Sequence, residues 1–213
     1  MDKLKKQELK ELYEKFRPAI EKRILEFQEL RSRSESEILK EFIFCTLTPQ
    51  SKAKICWEAV ERIFTHVKVQ NPDIDSIRNY LKGVRFPNNK AKFLVENFKI
   101  LQDKKISLKN FVLSKEDSKV KREWLIKTFK GYGIKEASHF LRNTGHLDVA
   151  ILDRHILKNM LFYGIIENIP KSLTKQKYLE LEEKFFEFSK LIDIPFAHLD
   201  LLLWAKETGE VFK

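Results

Sequence analysis

Lys130-Gly131-Tyr132-Gly133-Ile134-Lys135 confines its part of the chain to one kind of structure. Two glycines one residue apart permit a tight turn that side-chain-bearing residues resist. Apolar residues at helical spacing lie on both sides of it: Trp124, Leu125 and Phe129 before, Ala137, Phe140 and Leu141 after. The pattern predicts a helix, a hairpin and a second helix that Gly145 ends. The first N–H groups of that second helix have no helical partner, so Gly131, Gly133 and Ile134 offer a backbone grip for phosphate, with the amine of Lys135 in the first turn. Asp153, eighteen residues beyond Lys135 in Ile151-Leu152-Asp153-Arg154-His155, stands where a further helix needs an N-cap. An amine and a carboxylate at the heads of successive helices form a pair able to cut a glycosidic bond.

The rest of the chain reads as helix after helix, with almost no strand signal. Lys3 to Leu30 keep helical spacing, and Pro18 is expected to begin a second segment there. Ser34-Glu35-Ser36-Glu37 fits a capping box ahead of Ile38, Phe42, Ile43 and Cys45. Cys56, Ala59, Val60, Ile63 and Phe64 make one apolar stripe, and Asp73 to Leu81 a short helix closed by Gly83. After Pro87, Phe93, Leu94, Phe98 and Leu101 share a side, while Ser114 to Lys119 form a polar stretch. Thr174 caps a helix through Leu191, and Pro195 starts a last one that ends near Thr208. The expected fold class is all-α, with about ten helices; an enzyme that cuts a glycosidic bond in DNA needs a cleft, which implies two packed lobes. The lobes are expected at 31–119 and at 120–213, the latter joined by 1–30, with the hairpin at the cleft between them.

Lys and Arg outnumber Asp and Glu by 41 to 31, a net charge of +10. Such a surface suits a protein that follows a phosphate backbone, and suits equally a lysine-rich helical protein from a heat-adapted source. Cys45 and Cys56, the only cysteines, lie inside apolar helical patterns and read as buried thiols in a reducing compartment. Two cysteines build neither an iron-sulfur cluster nor a zinc site. The first thirty residues are charged throughout, and no apolar run is long enough to span a bilayer. A cytoplasmic, nucleoid-associated monomer with no membrane contact is expected.

Gly131-Tyr132-Gly133-Ile134-Lys135-Glu136-Ala137 followed by Asp153-Arg154-His155-Ile156 resembles the helix-hairpin-helix and Gly/Pro-Asp signature of the DNA glycosylase superfamily that includes endonuclease III. Lys135 to Asn143 with Ile151 to Leu157 is similar, more narrowly, to the short archaeal-type 8-oxoguanine DNA glycosylase/AP lyases, and the likeness runs from about Phe44 to the C-terminus. The four-cysteine cluster usual in the endonuclease III branch is missing, which favours the 8-oxoguanine branch.

The resemblance implies a bifunctional enzyme on double-stranded DNA that holds oxidised guanine, without metal or organic cofactor. Lys135 is then the amine that attacks C1′ and forms a Schiff base, and Asp153 the carboxylate that faces oxocarbenium charge. The hairpin would hold phosphate, through a bound monovalent cation in resembling enzymes, and His155 reads either as a second phosphate donor or as a buried structural histidine. Gln50, in Thr48-Pro49-Gln50-Ser51, is the choice for the wedge that fills the gap left by a flipped base. Phe86 and Trp204 match aromatics that stack on the two faces of that base, although Trp204 at helical spacing with Leu201 also reads as core. Asp200 reads as an acceptor for the base edge or as an exposed first-turn carboxylate. Lys213, the final residue, brings an α-carboxylate and an ammonium together, which matches the N7–H and O8 that distinguish the lesion. A frayed end is its alternative reading. Other readings left open are a helix-hairpin-helix glycosylase for another oxidised base, a non-catalytic DNA-binding module, and a helical interaction protein.

Overall fold

The computed structural model describes residues 3–70 and 72–213. Among them are eleven helices and no strand: α1 Lys3–Leu30, α2 Glu35–Leu47, α3 Ala53–His66, α4 Ile74–Asn79, α5 Pro87–Asp103, α6 Leu108–Leu113, α7 Ser118–Thr128, α8 Ile134–Asn143, α9 Arg154–Phe162, α10 Lys175–Ile192 and α11 Phe196–Thr208. The all-α expectation holds.

The capping box at Ser34 forms as expected, with the Ser34 N–H donating to Glu37 at 3.1 Å and the Glu37 N–H to Ser34 Oγ at 3.3 Å. Pro18, by contrast, does not divide α1, which runs unbroken through it. A proline inside a helix costs about 3 kcal/mol through its lost hydrogen bond and the clash of its ring with the preceding turn, which the buried face of α1 offsets. Pro18 is exposed, so water solvates the carbonyl left unpaired, while Leu9, Tyr13, Ile20, Ile24 and Phe27 keep one buried face across it. Helix α4 ends at Asn79, before Gly83. Helix α6 was not expected, although Ser107 caps it locally by accepting from the Asn110 N–H at 3.1 Å. Its first turn is capped from afar by Glu35, whose carboxylate accepts from the N–H groups of Leu108 at 2.7 Å and Lys109 at 2.9 Å.

The apolar side chains gather into two clusters. One joins residues between Ile38 and Val149; the other joins the face of α1 to residues between Ala150 and Leu203. The division drawn from sequence at 119/120 therefore differs from the division of the cores, which falls between Val149 and Ala150. Leu125, Phe129, Tyr132, Ala137, Phe140 and Leu141 of the hairpin all pack into the first cluster. Helix α8 is buried from Glu136 to Asn143, and Ile134 at its head packs against the second cluster, so this head emerges where the cores meet.

Polar clamps cross the same junction. Arg122 makes a buried two-point pair with Glu182 at 2.7 and 2.9 Å and also donates to Ser138, joining α7, α8 and α10. Nearby, Lys121 donates to Val112 O, Ser114 O and His146 Nε2 at 2.9, 2.8 and 2.9 Å. His146 must then be neutral, and burial, assisted by the Lys121 charge, pulls its pKa down to about 4. A histidine held below its unfolded pKa contributes stability that is full above about pH 6.5 and is lost as pH falls toward 4. Between pH 7 and pH 5 the wild type should lose about 2 kcal/mol more than His146→Gln, measured by urea unfolding, since glutamine accepts from Lys121 without titrating. Parallel losses in both proteins would show that His146 does not carry this term.

Candidate active site

The hairpin is held at its entry by Asn97, which accepts from the Lys130 N–H at 2.8 Å and donates to the Lys130 carbonyl at 2.9 Å. Gly131 has φ +77°, and a Cβ there would lie 2.8 Å from Phe93 Cδ2, so both backbone and packing demand glycine. Tyr132 stacks on Phe42 with centroids 4.9 Å apart and donates its hydroxyl to the Phe42 carbonyl at 2.9 Å. The N–H groups of Gly131 and Ile134 have no acceptor among the described residues, whereas that of Gly133 donates to Glu136 Oε2 at 3.1 Å. One of the three donors assigned to phosphate is thus already engaged.

Glu136 was missed as a site residue, although its place three residues after Gly133 is a helix-start signal. Its other oxygen lies 2.9 Å from Lys135 Nζ. Lys135 is 28 % exposed, enough for a reactant to reach its amine, and Glu136 is positioned to receive its proton.

The segment before Asp153 is fixed from α10. The Tyr178 hydroxyl donates to the Ala150 carbonyl at 2.7 Å and accepts from the Leu152 N–H at 3.0 Å, while Glu182 accepts from the Ala150 N–H at 3.0 Å. Asp153 then caps α9 through one oxygen: Oδ1 accepts from the His155 and Ile156 N–H groups at 2.7 and 2.9 Å. Oδ2 takes no part in the cap. His155 is partly exposed, while its Nδ1 is buried without a hydrogen-bond partner, 3.9 Å from Glu207 Oε2.

Helix α11 packs against α9 and carries Asp200 and Trp204 one turn apart. Asp200 is buried in the second turn, not exposed in the first, because α11 presents this face to Arg142, whose Nη1 lies 3.5 Å away. Neither Asp200 oxygen has a hydrogen-bond partner, and burial raises its pKa while Arg142 opposes. Trp204 is only partly buried and belongs to neither apolar cluster, so core packing alone does not explain it.

Gln50 and Phe86 both hold φ +56°, a conformation uncommon for residues with side chains. Phe86 is half exposed. Both line a cavity of about 280 Å³ together with Lys90, Phe93, Gly131 and Glu136. The structure thus brings the wedge candidate, one stacking candidate and the hairpin to one opening.

The tail is not frayed. Gly209, at φ +82°, turns it out of α11; Val211 packs on the second cluster and Phe212 on the first. Lys213 Nζ pairs with Glu41 and lies 3.3 Å from the Trp57 ring centroid. Burial lowers the Lys213 pKa, and Glu41 opposes that shift. Its ammonium is therefore occupied within the chain.

Cys45 and Cys56 are buried and unpaired with one another, and burial pushes the Cys56 thiol up to about 11. Among the described residues no group of His, Cys, Asp or Glu could hold a metal ion, and no helix is long and apolar enough to cross a membrane.

Comparison with known proteins agrees with this arrangement. A family model described as Ogg-HhH, 8-oxoguanine DNA glycosylase, matches residues 20–194. The 8-oxoguanine DNA glycosylase/AP lyase of Fusobacterium nucleatum is 40 % identical over 209 residues, covering 97 % of this chain and 96 % of that protein. The protein of the same name from Korarchaeum cryptofilum is 39 % identical over 197 residues, covering 92 % and 91 %. The crystal structure of Methanocaldococcus jannaschii 8-oxoguanine glycosylase/lyase in complex with a 15mer DNA containing 8-oxoguanine superposes with a TM-score of 0.89 at 34 % identity, over 99 % of this chain and all of that one. With this likeness along nearly its whole length, and an amine and a carboxylate fixed at the heads of α8 and α9, the chain belongs to the helix-hairpin-helix family of 8-oxoguanine DNA glycosylases.

Proposed function

We propose that the junction between the two cores excises 8-oxoguanine from duplex DNA and nicks the strand at the abasic site. The observation that carries this reading is a reachable amine, Lys135, in the first turn of α8 together with a carboxylate, Asp153, at the head of α9, which caps that helix through Oδ1 alone. The Lys135 lone pair forms a bond to C1′ while the glycosidic electrons leave with the base, which takes up a proton. Asp153 stabilises the positive charge that develops on the sugar. Ring opening gives an imine, and loss of a C2′ proton then expels the 3′ phosphate.

The DNA contacts follow from the placements above. The N–H groups of Gly131 and Ile134 hold a phosphate, alone or through a monovalent cation at the hairpin carbonyls; Gly133 keeps the turn, and His155 donates to a second phosphate. Gln50 fills the gap in the duplex. Phe86 and Trp204 stack on the flipped base, with Asp200 and the Lys213 α-carboxylate at its edge. The enzyme works as a monomer on chromosomal DNA in the cytoplasm and needs no iron-sulfur cluster.

Duplexes that hold 8-oxoguanine, an oxidised pyrimidine or a preformed abasic site test the reading. The wild type should nick the first and third and spare the second. Deleting Lys213, or extending the chain by Gly-Ser so that its carboxylate becomes an amide, should slow 8-oxoguanine excision on the order of 10²-fold, as expected for losing a charged hydrogen bond in a desolvated site. Cleavage of the abasic site should stay near wild type. Equal effects on the two substrates would remove Lys213 from base recognition.

A further inference from the structure

Lys90 occupies the first turns of α5 and is 4 % exposed, an unusual place for an ammonium with no carboxylate partner. All three of its protons are used. It donates to the carbonyls of Leu47 at 2.7 Å and Pro49 at 2.8 Å and to Ser51 Oγ at 2.9 Å. Two of these acceptors flank Gln50, the residue at φ +56°. Ser51 Oγ also accepts from the Arg85 N–H at 3.0 Å, which ties the same ammonium to the residue before Phe86, the second residue at φ +56°.

Backbone in this region persists in bulky residues only where its surroundings over-determine it. Here one buried charge gathers three acceptors from the end of α2 and the loop after it and, through Ser51, reaches the turn before α5. We infer that Lys90 is a positioning residue, which holds Gln50 and Phe86 at the set spacing needed to enter a duplex and receive a flipped base. This role rests on the reading of Gln50 as wedge and Phe86 as stacking face. A neutral side chain could not satisfy three converging acceptors, which accounts for a lysine at this depth despite burial, which lowers its pKa to about 8.

The test compares Lys90→Met, Ser51→Ala, Gln50→Ala and wild type on 8-oxoguanine duplex and on a preformed abasic site, under single turnover. Flipping is followed by 2-aminopurine fluorescence opposite the lesion. Lys90→Met should slow excision and flipping on the order of 10²-fold, as expected for loosened alignment, with abasic-site cleavage close to wild type. Ser51→Ala removes one of the three Lys90 acceptors and, with it, the link to Arg85, while two carbonyl acceptors stay in place; it should slow excision several-fold in a protein that still folds, and add little when combined with Lys90→Met, because the link runs through Lys90. Should Lys90→Met fail to fold, Ser51→Ala alone decides. Gln50→Ala separates the two claims. Slow excision in Gln50→Ala beside wild-type rates in Lys90→Met and Ser51→Ala overturns the positioning role and keeps the wedge. Wild-type flipping in Gln50→Ala removes the wedge reading and the positioning role with it.

Discussion

Lys135→Gln is expected to lower both 8-oxoguanine release and strand nicking on the order of 10⁴-fold or more, as loss of a covalent nucleophile does. Glutamine keeps nearly the length of lysine, but its amide nitrogen cannot form an imine. The substitution removes a partly exposed ion pair with Glu136 and leaves the Glu136 bond to the Gly133 N–H in place. Stability should change little, because Glu136 keeps the Gly133 N–H as a donor and can accept from the introduced amide. A protein with wild-type Tm and no activity is thus the expected outcome; normal turnover would move the nucleophile elsewhere.

Asp153→Asn should slow base release on the order of 10³-fold, by the loss of a charge that faces the developing oxocarbenium ion. Asparagine caps helices as well as aspartate does, so the bonds to the His155 and Ile156 N–H groups survive and the fold with them. Cleavage of a preformed abasic site has no glycosidic bond to break and should suffer less. Asp153→Ala, by contrast, should also lose about 1 kcal/mol of stability with the cap. Normal base release in Asp153→Asn would reduce Asp153 to a helix cap.

Much of this site was legible because its geometry is encoded within a few residues. Gly131 and Gly133 set a turn that only glycine tolerates at its first position, Lys135 follows in the helix they open, and Asp153 caps the next. The Ser34 capping box was legible for the same reason. Much of what escaped depends on distant partners. Glu35 caps α6 across 72–74 positions, and Lys213 meets Glu41 across 172. Lys90 reads in sequence as one more solvated lysine; only the fold sets three acceptors around it. Tyr178 and Glu182, which fix the approach to Asp153, lie in an apolar helix stripe with nothing local to mark them. Pro18 misled because propensity ignores that the helix shows water its proline face.

The most direct test of the central claim is borohydride reduction of the wild-type protein on a duplex with one 8-oxoguanine, followed by protease digestion and mass mapping of the adduct. Reduction should trap the imine as a stable protein–DNA cross-link on the peptide that contains Lys135. A cross-link on another amine, Lys90 included, or base release with no adduct at all, would contradict the mechanism derived from α8.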